Sequence, residues 1–190
     1  MTGSFNSNNI KEVPRLETDR LILRGFSPND KYDIFEYASV PSVTQYLPWE
    51  FHKSLDDTEA FLKLSAEMFA SQDNIDFAVE LKSEKKVIGG ISIRKWNDKN
   101  RCADIGYVLS PKYWNRGIIT EAIKRVIRFG FEVLNANRIE AHCDEENIPS
   151  FRAMEKAGMR YEGTLKDKVF LKGKFINIKF YSILKEELSE

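Results

Sequence analysis

Much that would narrow a function is missing from this chain. Its 190 residues carry 29 basic and 29 acidic side chains, a formal net charge of zero. Bulk nucleic-acid binding usually needs a basic excess, so direct nucleic-acid binding is disfavoured; a local basic spot around a small phosphorylated ligand stays open. No apolar run approaches the roughly 20 residues of a membrane span. The opening stretch, MTGSFNSNNIKEV, lacks the apolar centre of a signal peptide, and residues 1–14 read as a loose tail. The only cysteines, Cys102 and Cys143, sit inside apolar strand-like runs and read as two reduced, packed thiols of a cytoplasmic protein. There is no Gly-Lys-Ser/Thr ending to make a Walker loop, and no G-x-G-x-x-G to mark a dinucleotide fold. Repeats, low-complexity blocks and linker-like stretches are absent too, so residues 15–188 read as one domain.

What is present is a regular alternation of elements. RLILR is a short strand. Pro28, Asn29 and Asp30 open a helix, with Asn29 or Asp30 as its cap and Ile34, Phe35 and Ala38 on one side. PSVTQYLPW is a short helix or irregular turn. Asp56 and Asp57 cap a longer helix in which Ala60, Phe61, Leu64 and Met68 recur at helical spacing. DFAVEL, KVIGGISIRKW and CADIGYVL are strands joined by tight polar turns, hence an antiparallel meander. The helix after Gly117 puts Ile118, Ala122, Ile123, Val126, Ile127 and Leu134 on one stripe and turns Lys124, Arg125 and Arg128 away. RIEAHC is a strand. IPSFRAMEKAG is a helix with Pro149 in its first turn and Gly158 at its end. RYEGTLK and FINIKFYSIL close the chain as a strand pair. The order β-α-α-β-β-β-α-β-α-β-β describes an α/β domain around a mixed sheet.

The junction SPKYWNRG, where a strand hands over to the long amphipathic helix, is the first candidate site. The opening N–H groups of a helix have no internal acceptor, and the aligned peptide dipoles leave about half a positive charge there. Gly117 lets a ligand approach the backbone, Asn115 tolerates positive φ, and Arg116 offers a guanidinium to a phosphate oxygen. The junction is either a plain tight turn or a cradle for an anion such as a pyrophosphate.

A second segment, one strand and helix later, narrows this. ADIGYVLSPKYWNRGIITEA and NIPSFRAMEKAGM together resemble the GNAT superfamily of acetyl-CoA-dependent N-acetyltransferases. Within it they look most like the RimJ/RimL branch, which modifies N-termini of ribosomal proteins; LETDRLILR and YLPW fit that branch as well. The resemblance runs over residues 16–184. It implies a single-domain GNAT-like fold: a mixed, mostly antiparallel sheet splayed between its fourth and fifth strands, with helices on both faces. It implies acetyl-CoA as cosubstrate and no metal. The backbone of Val108, Leu109 and Ser110 would hold the pantetheine arm, with the Val108 N–H polarising the thioester carbonyl. The pyrophosphate would rest on Asn115, Arg116, Gly117, Ile118 and Ile119, while Asn147 and Phe151 would line the pantetheine. The chain departs from the pattern at Asn115, where the branch usually has Gly, and at Ile119, where it usually has Ala or Gly. It departs again at Met154, which replaces a tyrosine that many acetyltransferases use as the acid for the leaving thiolate.

An alkylamine attacks a thioester only in its neutral form, about one part in a thousand at pH 7, so removing its proton costs on the order of 4 kcal/mol. By position in the resemblance, Asp104 is the candidate base, acting through water because its side chain is one methylene shorter than the family's Glu. Ser150 is the nearest hydroxyl for the leaving thiolate. His142 is a second base candidate or a structural strand histidine. Tyr46 and Trp49 fall in the substrate-side segment and either wall the acceptor pocket or belong to the core. No Ser or Cys stands in a nucleophile arrangement with His and Asp, which points to direct transfer. The acceptor is a protein N-terminal amine, a small amine or an amino-sugar antibiotic, and the chain acts as a monomer or homodimer. The alternatives are a non-catalytic acyl-CoA-binding regulatory module and, with less in the sequence to support it, a nucleotide-binding interaction domain.

Overall fold

Eight strands form one mixed sheet in the order β1-β2-β3-β4-β5-β6-β8-β7 in the computed structural model, which describes residues 10–188. β1 (Leu16–Glu17) is a two-residue strand that the sequence pattern does not signal. β2 (Leu21–Gly25), β3 (Asn74–Leu81), β4 (Lys86–Asn97) and β5 (Cys102–Leu109) follow as antiparallel neighbours, the expected meander. β6 (Arg138–Asp144) joins β5 in parallel, and β8 (Lys174–Leu184) lies between β6 and β7 (Arg160–Leu171). Five α-helices flank them: α1 (Lys31–Ala38), α2 (Pro41–Thr44), α3 (Leu55–Ala70), α4 (Ile118–Glu132) and α5 (Ile148–Lys156).

The period of two along a strand puts helices on both faces. Phe77 and Val79 enter the large core with α4 and α5, while Ala78 between them packs with Ile34, Tyr37 and Ala38 of α1. The stripe on α4 is buried as its spacing predicts, except that Leu134 lies past the helix end and is half-buried. Each fully buried Ile or Phe contributes roughly 1.5–3 kcal/mol, more than the ~1 kcal/mol of a missing side-chain cap. α4 can therefore begin at Gly117 with no side-chain cap and leave its first amides available.

Three expectations shift. The cap of α3 is Ser54, which forms a capping box with Asp57, whose carboxylate accepts from the Ser54 amide at 3.0 Å; Ser27 caps a 3-10 turn over Pro28–Asp30 by accepting from the Asn29 amide, and Asp30 stands at the N-cap of α1, as expected, without capping it through its side chain. Asp30 is buried instead and takes both terminal nitrogens of Arg24, at 2.8 Å each. On α3 the inward line runs through Thr58, Phe61, Ser65 and Met68, with Ala60 and Leu64 exposed. Two short polar side chains pack where the pattern favoured apolar ones. Within the expected tail, Ile10 and Val13 pack on the core; residues 1–9 of it lie outside the described residues.

The feature that positions a site is the parting of β5 and β6. Their rungs run from Cys102–Arg138 to Ile105–Ala141 and stop. Beyond that point β5 continues along β4 and β6 continues along β8. This is the splay between the fourth and fifth strands of the expected fold, where β1 is left out of the count.

Candidate active site

The loop between β5 and α4 has the geometry an anion needs. Asn115 (φ 60°) and Gly117 (φ 71°) are both left-handed and flank Arg116, a backbone concavity of the kind that gathers N–H groups. Asn115, Arg116 and Gly117 are exposed; Ile118 is buried and Ile119 packs against the core, so the branched side chain at 119 is directed inward rather than across the loop. The Arg116 guanidinium lies 5.5 Å over the Tyr113 ring. From the far edge of the sheet, Arg20 reaches in: its Nη1 donates to the Arg116 carbonyl at 2.9 Å and its Nε to Glu121 at 2.6 Å. Glu121 lies in the first turn of α4. Burial pushes its carboxyl up, but hydrogen bonds from Thr18 (2.5 Å) and Arg20 outweigh that and hold it below the usual carboxylate range.

Beside the loop, the end of β5 is partly committed. The Ser110 amide donates to the Ile88 carbonyl (2.8 Å) and its carbonyl accepts from the Tyr113 amide (3.0 Å). The Leu109 carbonyl accepts from Trp114 Nε1 at 2.8 Å. Across the gap, Asn147 caps α5 by accepting from the Ser150 amide at 3.3 Å, and Phe151 is buried against Tyr181 under the Lys179 ammonium. Ser150 is joined to β5 by Tyr107, whose hydroxyl lies 2.9 Å from Ser150 Oγ and donates to the Ser150 carbonyl at 3.0 Å. Burial holds the Tyr107 phenol well above the ordinary tyrosine range, so it stays protonated at physiological pH. Tyr107 stands in the same motif as Asp104, yet sequence reasoning did not single it out.

Asp104 is 6% exposed and fully engaged. One oxygen takes Arg94 Nε at 2.5 Å; the other lies 2.8 Å from His142 Nδ1. Burial pushes its carboxyl up, but the His142 hydrogen bond and the Arg94 charge push it further down, below the ordinary aspartate range. The pair lines a cavity of about 230 Å³ with Lys95, Cys102, Glu140, Lys168, Ile178 and Phe180. Tyr46 and Trp49 are half-buried and are not among its lining residues; Trp49 packs on the α1 side. Burial pushes the Cys102 and Cys143 thiols up to about 11, so neither is a thiolate at neutral pH. Among the described residues no group of three or more His, Cys, Asp or Glu is placed to hold a metal, and no helix is long and apolar enough to cross a membrane.

The parted strand pair lies beside a helix N-terminus with no side-chain cap, an arrangement open to an anionic ligand, and a family match makes the protein an acyltransferase. Residues 20–160 match the acetyltransferase (GNAT) domain family, and the chain belongs to it. Over 91% of its length it superposes, with a TM-score of 0.81 and 32% identity, on 99% of a GNAT-family acetyltransferase from Bacillus anthracis. It is 31% identical to spermidine N(1)-acetyltransferase of Escherichia coli over 63% of this chain and 64% of that one. It is 33% identical, over 52% of this chain and 54% of that one, to YdaF of Bacillus subtilis, provisionally named a ribosomal N-acetyltransferase, in keeping with a RimJ/RimL-like branch.

Proposed function

We propose that this chain moves an acetyl group from acetyl-CoA directly to a primary amine. The observation that carries the reading is the adjacency of two features at the end of β5: a strand edge that loses its neighbour at Ile105, and the left-handed pair Asn115 and Gly117 at the start of α4. The diphosphate would rest on the loop and first amides of α4, where N–H groups and helix dipole favour anions. The pantetheine would run along Val108 and Leu109 in the gap. Ser110 would add its side chain only, its backbone groups being used. Asn147 and Phe151 would shape the far wall through the fold of α5 more than by direct contact. Ser150, hydrogen-bonded to Tyr107, would return a proton to the departing thiolate.

The acceptor must present a primary amine and enters, in this reading, through the cavity beside Asp104, Glu140 and His142. A peptide N-terminus and the end of a small polyamine both satisfy that requirement. Two free thiols and the use of acetyl-CoA support a cytoplasmic location in this reading. The test is thiol release from acetyl-CoA against free-N-terminal peptides, polyamines and amino sugars, with acetyl-CoA binding followed by calorimetry. Turnover with a peptide or a polyamine supports the reading and names the acceptor class. Tight binding with no thiol release on any amine would make the protein an acyl-CoA-binding module, and no binding would overturn the reading altogether.

A further inference from the structure

Four side chains make a row across four strands on the sheet face turned away from α4. Arg94 on β4 stands opposite Asp104 on β5, and His142 on β6 stands opposite Phe180 on β8. Ala103, Ile105, Ile139 and Ala141 alternate with them and enter the core on the other side. Ile105–Ala141 is the last rung between β5 and β6, so His142 is the first residue of β6 past the point where the strands part. Its ring is stacked on Phe180, centroids 5.5 Å apart and planes 23° from parallel, and it faces the cavity.

The contact with Asp104 decides which ring nitrogen is available. An ionised carboxylate only accepts hydrogen bonds, so the nitrogen 2.8 Å from it, Nδ1, carries the proton. In the neutral ring the lone pair then sits on Nε2. Asp104 has no such freedom, because both its oxygens already have donors, Arg94 and His142.

We infer that His142 Nε2 takes the proton of the acceptor amine, and that Asp104, braced by Arg94, is the positioning residue that presents it. The inference rests on the acetyl-transfer reading above. In the step, an N–H bond of the ammonium breaks and its proton passes to Nε2. The freed lone pair forms a C–N bond at the thioester carbonyl carbon. The nitrogen, now cationic, releases its second proton to solvent, the C–S bond breaks with its electron pair going to sulfur, and the thiolate takes a proton from solvent or from the Ser150 hydroxyl, which solvent reprotonates. His142 returns its proton to solvent through the cavity, leaving an amide and a free thiol. Besides Asp104, the charged and titratable groups that line the cavity with the ring are Lys95 on β4, Cys102 on β5, Glu140 on its own strand and Lys168 on β7, with Arg94 acting through Asp104.

Two measurements test this. The chain has two histidines, His52 and His142, so His142→Gln assigns the ring signals in long-range 1H–15N spectra of the 15N-labelled protein. The neutral ring of His142 is expected to carry its proton on Nδ1, and Asp104→Asn to shift the balance toward Nε2; a neutral ring already protonated at Nε2 in the unmodified protein overturns the assignment. The second is thiol release with primary amines of pKa from about 7 to about 10.5. His142→Gln should lose about 100-fold in kcat/KM with the most basic amine and less than tenfold with the least basic, which needs no base. Asp104→Asn should tilt the series the same way by a smaller factor. An equal loss across the panel overturns the inference while leaving acetyl transfer standing; no turnover by the unmodified protein on any amine overturns both.

Discussion

The guanidinium of Arg94 lies flat across Gly106: a methyl group on that glycine would stand 2.8 Å from Arg94 Cζ. The glycine of the IGY motif is therefore needed for a close approach, one that lets Arg94 reach Asp104 from the neighbouring strand. Gly106→Ala should displace the far end of a flexible side chain, leaving the backbone in place. Its main cost is then a weakened hydrogen bond to a charged group, about 1–2 kcal/mol. In an Arg94→Ala background the same substitution should cost less than about 0.5 kcal/mol. A double-mutant cycle by urea denaturation measures the difference, and additive losses would mean the two residues are not coupled.

Asp104 also gives the fold an acid-sensitive contact. Its folded carboxyl lies below the ordinary value of 3.8, so the stability it contributes is fully present above that value and is lost as pH falls through and below it. Asp104→Asn should lower stability at neutral pH and flatten this acid limb. Denaturant midpoints measured from pH 6 downward should converge between the two proteins; parallel curves would show that the carboxylate is not held down in the folded state.

The β5–α4 loop makes different demands at its two left-handed positions. Asn115→Gly should be neutral within about 0.5 kcal/mol, whereas Asn115→Val should cost about 1–2 kcal/mol in thermal melts, because a branched side chain is strained at φ 60°. Gly117→Asn should keep the turn. Gly117→Glu should lose at least about tenfold in acetyl-CoA affinity by calorimetry, since it adds a carboxylate where a diphosphate would lie. Unchanged affinity in Gly117→Glu would remove the phosphate assignment.

Arg20 neutralises Glu121 at the very end of α4 that would receive the phosphates, and it holds the Arg116 carbonyl. Arg20→Gln should raise KM for acetyl-CoA about fivefold, the worth of about 1 kcal/mol at a helix terminus, and leave kcat unchanged. Adding Glu121→Gln should recover most of the loss by removing the uncompensated charge. A fall in kcat with KM unchanged would assign Arg20 elsewhere.

Parts of this site were legible in particular residues. The NDKN turn sets β4 beside β5, but it does not by itself bring Arg94 to Asp104: continued from the Asn97–Cys102 rung the pairing would put Lys95 there, and an irregularity between Arg94 and Asn97, where Lys95 has φ 54°, shifts it by one residue. Arg20 and Tyr107 stand in the stretches LETDRLILR and ADIGYVL, whose resemblance to a family pattern was plain, but nothing local says that one reaches Glu121 across a hundred residues or that the other reaches Ser150 across forty-three. The cap of α3 falls at Ser54 rather than at Asp56 or Asp57, because aspartate is as suited to capping as the serine before it and local composition does not choose between them.

By itself the sequence determined all the elements but β1, the sheet's meander, the buried stripe of α4, the family, and a loop free to turn left-handed at Asn115. All of these depend on spacings and conformational preferences within a few residues. Only the tertiary structure decided which carboxylate faces which ring. β5 and β6 are parallel and joined through α4, so no tight turn sets their register; the packing of the helix against the sheet does. That register brings Asp104 beside His142, ends the pairing at Ile105, and makes a strand histidine the residue nearest the point where the sheet opens.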